Sequence, residues 1–129
     1  MSSVEHHIDV AVRLPEAYDV WTRFEQLPRF MEGVEEIRQL DETHLHWRAS
    51  YDGIAAEWDC EIVEQRPEER IAWRSTSGLT HGGVVTFHPL DDHVTRVMIM
   101  AEVADDAAPI VELRVKQALD GFRAMMERP

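Results

Sequence analysis

The chain has 129 residues, 13 basic against 25 acidic for a net charge of −12, and a single cysteine, Cys60. Such a charge repels phosphate backbones and anionic headgroups, which argues against nucleic-acid and peripheral-membrane partners, and one cysteine excludes an intramolecular disulfide or a multi-thiolate zinc site. No run of 18 apolar residues occurs and residues 1–7 lack the basic start and apolar centre of a signal peptide, so the expectation is one cytoplasmic domain spanning 1–129, with no membrane insertion.

Residues 5–13 alternate, with His6, Ile8, Val10 and Val12 on one face, the pattern of a half-buried strand. Leu14-Pro15 ends it, proline being suited to a first helical position. Ala17, Val20, Trp21 and Phe24 follow at helical spacing. Leu27-Pro28-Arg29-Phe30-Met31 reads as one further turn, closed by Gly33. No helical period is found from residue 34 to residue 103, a region that divides into strands at 34–40, 44–50, 54–64, 70–76, 83–88 and 94–103. Residues 105–127 then place Val111, Val115, Ala118, Leu119, Phe122, Met125 and Met126 in one stripe. This is a long amphipathic helix, with Asp105 or Asp106 to cap it and Pro109 in its first turn.

Turn chemistry predicts the register. Asp52-Gly53 is a two-residue hairpin signal and sets Trp47 opposite Trp58, Ala49 opposite Ala56 and Leu45 opposite Cys60. A turn at Pro67-Glu68 sets Ile62 opposite Trp73 and Cys60 opposite Ser75. Both hairpins then put Trp47, Trp58 and Trp73 on one face. The other face pairs Arg48 with Glu57, His46 with Asp59, and Glu61 with both His44 and Arg74. An aromatic inner face needs a cover, and the C-terminal helix is the available one.

Several segments carry a resemblance. They are Ala17-Tyr18-Asp19-Val20-Trp21, Phe24 to Met31, Glu57-Trp58-Asp59, Pro67 to Trp73, Gly83-Val84-Val85-Thr86-Phe87 and Thr95-Arg96-Val97. With this order of elements the chain resembles the polyketide cyclase/dehydrase branch of the START/Bet v 1-like (SRPBCC) superfamily. The resemblance implies an α+β helix-grip fold: a seven-stranded antiparallel sheet wrapped around a long C-terminal helix, with two short helices after the first strand. It also implies a small hydrophobic or polycyclic ligand held between sheet and helix. Only some members resembling this chain are enzymes, so a polyketide cyclase or aromatase and a protein-interaction module are the alternatives.

The expected ligand-binding residues are Phe30, Trp47, Trp58, Trp73, Phe87, Leu119 and Phe122, with small Ala49, Ala56 and Ser75 leaving room between the tryptophans. Gly121, inside the helix, implies a close approach or an opening. No cofactor is implied. Seven histidines supply no third converging ligand for a metal. For catalysis, the register sends Arg48, Glu57, Asp59, Glu61 and Arg74 outward, leaving Tyr51, Ser77 and His81 at the mouth, with Tyr51 and His81 the proton-handling candidates. Cys60, with no base near it, reads as a small core residue. A last hairpin centred near Asp92 puts Val84 opposite Met100, Thr86 opposite Met98 and His88 opposite Arg96. Apolar Val84, Met98 and Met100 on an otherwise charged face suggest a homodimer surface.

Overall fold

Seven antiparallel strands and one long helix carry the architecture. The computed structural model describes residues 1–51, 53–76 and 80–128, without the side chains of Tyr51, Thr80 and His81. In chain order it contains β1 (Ser2–Val10), α1 (Leu14–Thr22), a 3-10 helix (Phe24–Arg29) and β2 (Val34–Gln39). Then come β3 (His44–Tyr51), β4 (Ile54–Arg66), β5 (Arg70–Ser75), β6 (Thr80–Asp91) and β7 (Val94–Val103). A short 3-10 turn (Asp105–Ala107) leads into α2 (Ala108–Met126). The sheet order is β1-β7-β6-β5-β4-β3-β2, all antiparallel, so the first strand closes against the last. This is the helix-grip arrangement.

Boundaries differ where local bonds override periodicity. β1 lies three residues earlier than the alternation predicts. The Val12 N–H donates to the Val10 carbonyl at 2.8 Å and turns the chain there, although Val12 stays buried. Fully buried Thr95 secures that turn by donating its hydroxyl to the Val12 carbonyl at 2.8 Å. β6 is longer than predicted at both ends. Neither Asp105 nor Asp106 caps α2: the capping position is Ala107, with no side-chain bond. Asp105 is engaged elsewhere, accepting from the Ser2 hydroxyl at 2.7 Å and pairing with the N-terminal ammonium at 3.0 Å. Pro109 sits in the first turn of α2, where its missing N–H costs nothing.

The predicted cross-strand pairs are present: Trp47 faces Trp58, Leu45 faces Cys60, Ile62 faces Trp73 and Cys60 faces Ser75. β4 carries a bulge at Val63, which is pushed outward to 55% exposure. The extra residue flips the alternation. Glu64 therefore faces outward to Arg66 and Arg70, each at 2.8 Å, while the Gln65 amide turns in and donates to the Tyr18 hydroxyl at 3.1 Å. Outer-face pairing follows the register, with His46 at 2.6 Å from Asp59 and Arg74 at 2.6 Å from Glu61. Arg48 also lies opposite Glu57, as the register predicts, but its ion pairs are made across the other edge of β3. A register shift in β2 brings Glu35 and Glu36 to 3.7 and 3.9 Å of it, whereas Glu57 comes to 3.9 Å from His46.

Candidate functional site

α2 packs along β1 and β7, and its Phe122 is fully buried. Phe122, Phe30 and Trp21 form an aromatic cluster, with ring centroids 5.2 to 5.5 Å apart. Gly121 makes this possible. A Cβ there would overlap the Phe30 carbonyl, so the glycine marks a close approach rather than an opening. Beyond that cluster, towards the start of α2, a cavity of about 280 Å³ opens between helix and sheet.

Trp47, Trp58 and Trp73 line it, with Leu45, Cys60, Ile62, Ile71 and Val85 from the sheet and Val111, Val115 and Ala118 from α2. Trp47 and Trp58 are stacked, centroids 5.6 Å apart and planes within 16°, as their facing register positions dictate. The Trp47 indole N–H donates to Cys60 Sγ at 3.3 Å. Trp73 lies over Gly83, its cross-strand neighbour, and a Cβ on Gly83 would come within 2.7 Å of the indole ring. The glycine thus leaves the space that lets the tryptophan lie flat against the sheet.

Four of the expected lining residues are elsewhere. Phe30, Phe87, Leu119 and Phe122 belong to the packed core rather than the cavity wall. Phe30 and Phe122 back onto Trp21, and Phe87 meets buried Tyr18 edge-on at 5.5 Å. Their faces were predicted correctly, but inward residues at that end are already in contact with one another. Conversely Trp21, Phe24, Leu27, Met31 and Val34, from α1 to the start of β2, line the cavity without having been expected there. Arg114 was also missed. It follows Val111 by three residues and precedes Ala118 by four, which places it on the cavity side of α2. That spacing was the available signal.

Among the described residues the charged lining groups are Glu32, Glu57 and Arg114. Arg114 donates to the Gln117 side-chain carbonyl at 2.9 Å. Glu57, expected on the outer face, reaches the rim because its side chain, 60% exposed, lies near the edge of the opening. Burial pushes the Cys60 thiol up, chiefly through loss of solvent, so it stays protonated and is no nucleophile at neutral pH. The backbone of Tyr51 ends β3 and that of His81 lies in β6, but both side chains, like all of Ser77, are outside the described residues. Among the described residues no three His, Cys, Asp or Glu side chains group as metal ligands, and no helix is long and apolar enough to cross a membrane.

A long terminal helix gripped by a seven-stranded sheet, with an apolar hollow between them, invites comparison with known proteins. Residues 10–126 match the polyketide cyclase/dehydrase and lipid transport family. The chain belongs to that family. An uncharacterized 17.2 kDa protein of Streptomyces lincolnensis is 42% identical over 136 residues, covering 98% of this chain and 91% of the relative. A START superfamily protein from Mycobacterium smegmatis superimposes with a TM-score of 0.85 at 13% identity, covering 98% of this chain and 97% of the other. The Zhui aromatase/cyclase from Streptomyces sp. R1128 gives 0.82 at 18% identity, covering 98% and 94%. At such identities the two structural likenesses establish the fold that this family member shares with them.

Proposed function

We propose that this protein binds a small hydrophobic or polycyclic molecule in the cavity between α2 and the sheet. The observation that carries the reading is the apolar hollow of about 280 Å³ with its stacked Trp47–Trp58 pair, a flat surface suited to a ring system. A ligand of about 20 heavy atoms at roughly 0.3 kcal/mol each gives ~6 kcal/mol, or tens of micromolar. Such a ligand is expected to quench tryptophan emission, and Trp58→Phe and Trp73→Phe to reduce the quenching. A panel of fatty acids, sterols and aromatics that leaves the emission unchanged would end the proposal. Binding is favoured over catalysis because the described lining supplies only rim carboxylates and a protonated thiol for proton transfer.

The finer partner reading is a homodimer through the outer face of β6 and β7. Val84 pairs with Met100 and Thr86 with Met98, and all four side chains are half-buried beside the charged flank of β1. Wild type is expected to approach twice 14.9 kDa by light scattering between roughly micromolar and millimolar concentration, and Met98→Lys/Met100→Glu to remain at 14.9 kDa. A wild type monomeric across that range excludes the dimer.

A further inference from the structure

On the outer face, where β1, β7 and β6 lie side by side, the register brings soft donors together. Met98 and Met100 stand two residues apart on one face of β7, and both are half-buried. His7 lies directly opposite Met98 across the β1 edge, and Thr86 lies opposite it across the β6 edge. Directly opposed residues have Cβ atoms about 4.5–5.5 Å apart, and alternate residues of a strand are ~7 Å apart. One imidazole and two thioethers are therefore within reach of a common point. Methionine has three rotatable bonds, which let its sulfur converge where a branched side chain could not. The polar neighbours are engaged among themselves. Asp9 and Arg96, one row along, pair at 2.8 Å, and His88 turns its Nε2 to Thr86 Oγ1 at 2.9 Å. Glu5 flanks Met100 on the β1 side.

We propose that His7, Met98 and Met100 form a binding site for copper(I), with two sulfur ligands and one nitrogen. Thioether sulfur is a soft donor that selects Cu(I), and imidazole suits copper as well, whereas Zn(II) takes thiolate, imidazole and carboxylate. Among the described residues, histidines, cysteines and carboxylates by themselves make no three-ligand group, and the β7 sulfurs supply what they lack. A purely apolar contact surface would be served as well by leucine; only methionine brings sulfur. All three donors bind as neutral groups, so the ion adds its single positive charge to a chain of net charge −12, whose field attracts cations. The site lies on the opposite side of the sheet from the cavity and does not depend on a ligand there. It shares Met98 and Met100 with the homodimer reading, and substitution by leucine separates the two.

The test titrates the protein anaerobically with Cu(I), and with Zn(II) as the control. In a ¹H–¹³C spectrum the chain's six methionines give six methyl peaks. Cu(I) should move the two peaks lost in Met98→Leu and Met100→Leu, together with the His7 ring signals, and Zn(II) should leave both methyl peaks in place. His7→Ala, at an exposed position, should weaken Cu(I) binding about tenfold or more in competition with bicinchoninate, at least the loss expected for an outer-shell partner. Met98→Leu/Met100→Leu conserves volume and apolar area, so it should abolish Cu(I) binding while leaving the mass by light scattering at the wild-type value. If that double variant does not fold, the single leucine variants and His7→Ala decide. Cu(I) bound equally by the leucine variants, or moving only other methyl peaks, places the metal elsewhere, at Cys60 for instance, and overturns the site. Absence of any shift with Cu(I) in wild type overturns it as well. Either result leaves the cavity and dimer readings standing.

Discussion

At the residue scale, Asp41 organises the turn between β2 and β3. Its Oδ1 accepts the Thr43 and His44 backbone N–H groups at 2.9 and 2.8 Å and contacts His44 Nδ1 at 2.9 Å. The Thr43 N–H first, then the His44 side chain, lower the carboxyl from 3.8 to about 2, and Asp41 in turn raises His44 above 6.5. The two shifts act on opposite limbs of a pH profile. A depressed acid stabilises the fold above its unfolded value near 3.8, and that contribution disappears as pH falls towards 2. A raised histidine stabilises below 6.5, and the contribution disappears as pH climbs through the folded value. Both are present together between about pH 4 and 6.5. Asp41→Asn should bring the His44 titration, followed by ring-proton chemical shift, back towards 6.5, and an unmoved titration would show that Asp41 is not its cause.

At the scale of elements, much of the fold was legible because alternation and turn chemistry agree. The Asp52-Gly53 signal predicts every β3–β4 pair, Trp47 against Trp58 included. The β4–β5 register was predicted for a different reason. Its turn centres on Glu68, which adopts φ 62° while the Glu69 N–H donates to the Arg66 carbonyl at 3.0 Å. That displaces the pairing by one residue near the turn, so Arg66 faces Arg70, and the Val63 bulge restores it by Ile62 and Trp73. Two offsets cancel, and neither is visible in a pattern of apolar and polar letters. The site was less legible than the fold. Period 2 and period 3.6 say which face a side chain occupies, but not whether inward residues such as Phe87 and Phe122 meet one another or leave a gap. Gly121 shows the difficulty: the same letter was consistent with a gap or a contact, and the Phe30 carbonyl decides for contact.

At the scale of the whole molecule, the placement of α2 has a consequence for motion. The helix packs along β1 and β7, where the His6 imidazole lies 3.1 Å from Glu112 and the Ala11 N–H donates to Glu127 at 2.9 Å, and the 3-10 helix braces β2. β3 and β4 face the cavity, so across their tryptophans there is empty space where β1 and β7 have a helix. Their hairpin packs against neighbouring strands with no helix seated across it, and a region without such cover on its inner face opens at lower free energy. Backbone amides around Ala49 and Ala56 should accordingly exchange with deuterium well before those around Ile8 and Val97, measured on the free protein by mass spectrometry or NMR. Uniform exchange across the sheet would contradict this. The gradient would make entry to the hollow a local event: a ligand need only wait for one hairpin to breathe, while the half of the sheet held by the helix keeps the fold registered throughout.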